Sequence, residues 1–191
     1  TFGDGGAGKS TFGLAVLLAV VLGRPIAGLP THATNGLYVD WEDNEQNWRR
    51  RLGRIAKGMG LDQQPRGIWY WNAEGMPLTQ QFDALKRKIQ KDGIGFIVLD
   101  SAALACGGDP LKPEIVVAFF SALKRLNVTS LIIAHITKAG ETMKPFGFVG
   151  WHNAPRRTWY VAKQDDDEGD TMSLGLVCRK SNDGIWPKPI P

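Results

Sequence analysis

The sequence predicts an α/β fold, a mostly parallel sheet flanked by helices and closed by a C-terminal antiparallel hairpin. Three observations predict it. A glycine-rich loop, Gly3 to Ser10, runs directly into the apolar stretch Phe12 to Leu22. Several short apolar runs bounded by turn signals each close on a polar residue, the pattern of buried parallel strands whose carboxyl ends line a ligand crevice. Two late strand-like runs, Thr158–Ala162 and Met172–Cys178, are joined by the acidic turn Asp165 to Asp170, which predicts a hairpin. At 191 residues the chain is long enough for one well-buried domain and too short for two, so residues 1–191 are read as a single domain.

The loop fits G-x-x-x-x-G-K-[ST], with Gly3, Gly8, Lys9 and Ser10 at the fixed positions. Backbone N–H groups can converge on a polyphosphate where glycines keep side chains from intervening, so the glycine-rich run Gly3, Asp4, Gly5, Gly6, Ala7 and Gly8 is the candidate cradle. Lys9 supplies a cation for the β- and γ-phosphates, Ser10 a hydroxyl for Mg²⁺, and Thr11 continues into the helix, whose N-terminus also favours phosphate. The motif normally follows a buried strand. Only two residues precede Gly3, so the sequence reads as a fragment lacking that strand, with a proline-rich end, Trp186 to Pro191, that also reads as cut.

After a Gly/Pro connection, Gly36 to Trp41 reads as a buried strand with Asp40, Glu42 and Asp43 at its ligand end. Asp43 or Asn44 caps a helix reaching about Lys57, a role that accounts for Asp43, whereas Glu42 is the candidate for chemistry. Ile68 to Trp71 is an aromatic strand, and Gln80 to Lys91 an amphipathic helix burying Phe82, Leu85 and Ile89, with Lys86, Arg87 and Lys88 solvated. Gly95 to Asp100 is a fully buried strand ending on a carboxylate, and an acid so placed holds Mg²⁺ through water. The competing role is a helix N-cap made by Asp100 or Ser101. Ala102 to Pro110 reads as a flexible connection, and Pro113 to Leu126 as a helix burying Ile115, Val116, Phe119, Phe120 and Leu123. Thr129 to His135 is the next strand. His135 at its tip is either a group that touches the γ-phosphate or a satisfied core histidine, and the residues alone leave both open. The stretch 138–150, with Lys138 and Lys144, reads as a mobile loop.

A net charge of +4 permits an anionic partner without requiring one. Cys106 and Cys178 lie too far apart for a zinc knuckle, and a disulfide framework would be unusual in so large a core, which points to a reducing cytoplasm. The longest apolar run, Leu14 to Leu22, is roughly half of a bilayer span, so no membrane partner is expected.

In order and spacing, the loop Gly3–Ser10, the strands ending at Asp40, Asp100 and His135, and the hairpin closing on Arg179, Lys180, Ser181 and Asn182 resemble a RecA-like P-loop ATPase core. Within that superfamily the chain resembles the RepA-type AAA family of plasmid and phage hexameric replicative helicases. The resemblance implies ATP and Mg²⁺ as cofactors, Glu42 as the residue polarising the attacking water, Asp100 and Ser10 at the metal, and His135 as γ-phosphate sensor. It also implies that the loop 138–150 faces single-stranded DNA in a ring, a hexamer in that family, and that Arg179 and Lys180 reach the nucleotide of the neighbouring subunit. Arg156 and Arg157 receive no role. The implied activity is ATP hydrolysis driving translocation on or unwinding of DNA. The alternative is a RecA-fold ATPase serving a regulatory or recombination-mediating assembly without unwinding.

Overall fold

The computed structural model describes residues 1–63, 65–136, 145, 147–165, 172–184 and 186–190. The chain opens on a two-residue strand, β1 (Phe2–Gly3), then α1 (Lys9–Leu22), β2 (Asn35–Asp40), α2 (Glu45–Gly58), β3 (Ile68–Asn72), α3 (Leu78–Lys91) and β4 (Ile94–Asp100). It continues through α4 (Ala102–Ala105), α5 (Pro113–Leu126), β5 (Thr129–His135), α6 (Gly150–Asn153), β6 (Arg157–Asp165) and β7 (Met172–Ser181). These strands form one sheet in the order β3-β2-β4-β5-β1-β6-β7. Every neighbouring pair is parallel except β6 and β7, the expected hairpin.

Phe2 and Gly3 occupy the central position expected of the strand before the loop, pairing with β5 on one side and with Tyr160 of β6 on the other. The strand judged missing is therefore represented by these two residues. Gly3 is required there by a close approach, because a Cβ would stand 2.5 Å from the Val161 carbonyl oxygen.

Alternation along β2 and β4 sends side chains to two helical layers. Leu37, Val39, Ile97 and Leu99 face Phe82, Leu85 and Ile89 of α3 and Val116, Phe119 and Leu123 of α5. Tyr38, Phe96 and Val98 face Leu14, Leu17 and Leu18 of α1 and Trp48 and Leu52 of α2. Of the stripe expected on α5, Val116, Phe119 and Leu123 are buried, while Ile115 and Phe120 are half-buried at its edge.

Differences from the sequence reading concern short elements. The connection after Asp100 contains the one-turn helix α4, and α6 begins at Gly150, where only a loop was expected. One turn of helix is too short to show periodicity, so neither leaves a pattern. The aromatic content of α6 does explain its position: Trp151 is buried, with its ring 5.1 Å from Phe119 and 5.4 Å from Phe120 between centroids. Helix α3 starts two residues earlier than expected because Leu78 is buried and the Pro77 carbonyl accepts the Gln80 and Gln81 N–H groups. Residues 138–144 and 146 of the expected DNA-facing loop, Lys138 and Lys144 among them, and residues 166–170 of the acidic turn lie outside the described residues. Among the described residues no helix is long and apolar enough to cross a membrane.

Candidate active site

Strand register assembles the site. Asp40 pairs with Asp100, Asp100 with Ile133, and His135 with Gly3, so β2, β4, β5 and β1 end at nearly one level. Glu42, Ser101, His135 and the glycine-rich loop leave the sheet side by side as a result. The Trp41 N–H extends the β2–β4 ladder one step further by donating to the Asp100 carbonyl at 2.7 Å.

The loop Gly3–Ser10 ends at Gly8, which holds φ 73° at the N-cap position of α1 and supplies no side-chain cap. No acidic residue occupies the first turn either. The first N–H groups of α1 therefore keep their hydrogen-bonding capacity and their partial positive charge for an anion. Gly5 and Gly6 border open space, since a Cβ on either would meet nothing within 4 Å. That space is the cradle a polyphosphate needs.

Lys9 is buried, and its ammonium folds back to donate to the Asp4 carbonyl at 2.5 Å. Burial holds its pKa below the ordinary lysine value, while the charges of Asp100, Glu42 and Asp4 push it back up. Asp100 is buried on the same side of the sheet. Desolvation raises its carboxyl above the usual range, opposed by the Tyr38 hydroxyl, which donates to Oδ2 at 2.5 Å, and by the nearby Ser10 hydroxyl. Its Oδ1 has no well-formed hydrogen bond within the protein. A buried carboxylate oxygen with no well-formed hydrogen bond, beside a serine hydroxyl, suits a hydrated divalent cation, and Ser10 and Asp100 fit Mg²⁺. Among the described residues no group of three His, Cys, Asp or Glu could cage a metal unaided. Such a cation must bring phosphate and water ligands with it. Asp100 therefore does not serve as a helix cap, and Ser101 holds the N-cap position of α4 without making a side-chain cap bond.

Glu42 lies in the turn after β2. Its Oε1 accepts from the Ser101 hydroxyl and stands 3.2 Å from His135 Nε2. The His135 side chain is 40% exposed, so the reading of it as a core histidine fails. Asp43 is structural, as expected: Oδ1 accepts from the Asn44 N–H and the Asn47 side-chain amide, both at 2.8 Å, and Oδ2 pairs with Arg51 at 3.0 Å. The Asn47 amide, foremost among these partners, holds its carboxyl below the usual range. The cap of α2 itself is Asn44, whose side chain accepts from the Asn47 N–H.

Two residues named in the sequence analysis have roles in the site that it did not assign. Asp40 is buried, and its Oδ1 accepts the N–H groups of Glu42 at 2.9 Å and Asp43 at 3.0 Å, fixing the turn that carries Glu42. An aspartate hydrogen-bonding N–H groups two and three residues ahead is an Asx-type turn, and the run Asp40-Trp-Glu-Asp43 was its available signal. Ser101 is the second, and its contact with Glu42 spans too much sequence to be read locally. Asp40→Ala orphans two N–H groups, and urea unfolding is expected to show a loss of about 1–3 kcal/mol. Unchanged stability would mean that water replaces the carboxylate.

Arg179 and Lys180 lie on β7 at the level of Thr158 and Trp159, and they differ in what they meet. The Arg179 guanidinium sits 5.8 Å from the centre of the Tyr160 ring, whose hydroxyl is 3.5 Å from Asp4 Oδ2. Lys180 donates at 2.5 Å to the Asn153 carbonyl and also to that of Pro155. Arg156 forms an exposed ion pair with Asp183.

A family model described as an AAA domain matches residues 1–141. The chain belongs to this AAA domain family. Among solved structures, the KaiC-like protein PH0186 from Pyrococcus horikoshii OT3 superposes with a TM-score of 0.67 at 14% identity, covering 98% of this chain and 81% of its own. At that identity the likeness establishes the fold, which is RecA-like. No curated protein matches. Family and fold together make the AAA domain a RecA-like P-loop ATPase. They do not reach the RepA-type helicase group within it.

Proposed function

We propose that the AAA domain hydrolyses ATP in a Mg²⁺-dependent reaction in which Glu42 activates water. The observation that supports this most is the common level of the strand ends beside the phosphate loop, with the charges of Asp100 and Glu42 acting on Lys9. The loop N–H groups and Lys9 bind the β- and γ-phosphates. Glu42 takes the proton of a water whose oxygen attacks the γ-phosphorus as the bond to the ADP oxygen breaks, and His135, half-exposed beside Glu42, contacts the γ-phosphate. Mg²⁺ held through Ser10 and Asp100 would neutralise charge on the phosphate oxygens.

The finer reading is a DNA motor of RepA type, built as a ring, hexameric as the resemblance implies, with 138–150 facing single-stranded DNA. Its support is the order of elements, and the net charge of +4 fits it and the alternative equally. In that ring Arg179 and Lys180 serve the neighbouring subunit, which requires Lys180 to release the carbonyls of Asn153 and Pro155. The alternative is an assembly whose protein contacts are switched by nucleotide, without unwinding. ATPase assays with and without single-stranded DNA separate the two. The motor reading expects turnover to rise several-fold with DNA and to vanish with EDTA. Turnover indifferent to DNA across salt concentrations favours the switched assembly, and none with Mg²⁺ under any condition rejects the hydrolytic reading.

A further inference from the structure

We infer that Ser101 is a positioning residue for hydrolysis, holding the Glu42 carboxylate at the angle from which it takes a proton from water. The inference rests on Glu42 being the activating base. Three observations carry it. Ser101 is fully buried, so its hydroxyl has no water to bond. It occupies the N-cap position of α4, where a serine hydroxyl ordinarily turns to the helix N–H groups, yet it makes no such bond. Instead it donates to Glu42 Oε1, 59 residues away in the chain.

The geometry around it is built to deliver that hydroxyl. Ser101 leaves β4 one step past Asp100, where the Trp41–Asp100 hydrogen bond keeps β2 and β4 together, while Asp40 fixes the backbone N–H of Glu42. A glutamate has several rotatable bonds between that fixed backbone and its carboxylate. Serine has one, and burial fixes it, so Ser101 ties down the far end of a side chain whose near end Asp40 already holds.

His135 meets the same oxygen, but its exposure sets the two donors apart. A half-exposed imidazole at a strand tip can exchange Glu42 for a γ-phosphate. A serine with 0% exposure meets no solvent that competes for its hydroxyl. Ser101 therefore remains on Oε1 when nucleotide draws His135 away, and Glu42 keeps its second oxygen for the water proton.

A double-variant cycle tests this, with single-turnover ATP hydrolysis and separate nucleotide-binding titrations on the whole protein. Ser101→Ala is expected to lower the hydrolysis rate about tenfold or more while ATP affinity stays within about twofold, and to lower it no further in a Glu42→Gln background. Ser101→Cys, isosteric with a much weaker donor, is expected to fall between serine and alanine, and it stands in if the alanine variant melts below the assay temperature. A wild-type rate in Ser101→Ala, or in Ser101→Cys where that variant stands in, overturns the inference. So does an equal loss with and without Glu42, since Ser101 would then act on the fold or on nucleotide. Glu42→Gln alone separates the two readings: if it hydrolyses ATP normally, the base assignment has failed and the inference falls with it, whereas a dead Glu42→Gln beside a fully active Ser101 variant sinks the inference alone.

Discussion

Glu42→Gln is expected to bind ATP within about twofold of the wild type and to hydrolyse it slower by a factor on the order of 10² or more. The substitution keeps shape and hydrogen bonding: a glutamine carbonyl can still accept the Ser101 hydroxyl that Glu42 Oε1 accepts, and the backbone N–H still reaches Asp40. The capacity to take a proton is removed together with one negative charge, whose loss does not oppose an anionic ligand. Binding should persist because Glu42 makes its described hydrogen bonds with Ser101, His135 and Asp40, and with no residue of the phosphate loop. The informative control is Asp43→Asn. Asp43 is committed to Asn44, Asn47 and Arg51, so its loss should lower thermal stability and leave the chemical step nearly unchanged. Single-turnover rates with equilibrium binding distinguish the cases. If Asp43→Asn abolishes hydrolysis while Glu42→Gln is silent, the base has been misplaced by one residue.

What could be read from the sequence follows the range over which each interaction acts. The apolar run ending on Asp100 announced a buried strand because a parallel strand covered on both faces has no polar alternation to hide. The pattern of α5 gave both ends correctly because Pro113 opens it and Asn127, at φ 52°, closes it with a left-handed residue. The phosphate loop was legible because backbone approach to phosphate demands glycine, a local requirement. Relations between strands were harder. Glu42 and His135 were both identified, but their 3.2 Å contact is a product of register across β4, and no local pattern records register between parallel strands separated by helices. Ser101 illustrates the same limit. Locally it is a helix cap, and only the β2–β4 pairing turns its hydroxyl toward Glu42. In β7, Lys180 was assigned by resemblance to a neighbouring subunit's nucleotide, and nothing local recorded that the chain's own carbonyls at Asn153 and Pro155 take its ammonium.

Lys9→Ala is expected to weaken ATP binding by at least tenfold and to abolish measurable turnover in the protein alone. The lysine is buried behind the loop, with its ammonium on the Asp4 carbonyl and under the influence of Asp100 and Glu42, so the site carries several negative groups for one internal cation. Adding a polyphosphate without that cation sets phosphate charge against Asp100 and Glu42 at short range, where attenuation by solvent is weak. The variant should nevertheless remain folded. Burial already disfavours the charged ammonium, as its lowered pKa records, so removing it takes away a desolvation cost along with the hydrogen bond to Asp4. Calorimetric or fluorescence titration with nucleotide, beside a thermal melt, reads both consequences; wild-type affinity would sink the phosphate-loop reading. The same variant also tests the finger. Mixed with Arg179→Ala, Lys180→Ala subunits, it should regain turnover if those residues act across a subunit boundary, because some interfaces then pair an intact loop with an intact finger. Turnover that is absent in the mixture and independent of concentration in the wild type would instead mean that Lys180 keeps to its carbonyls and Arg179 to Tyr160, and that each chain completes its own site.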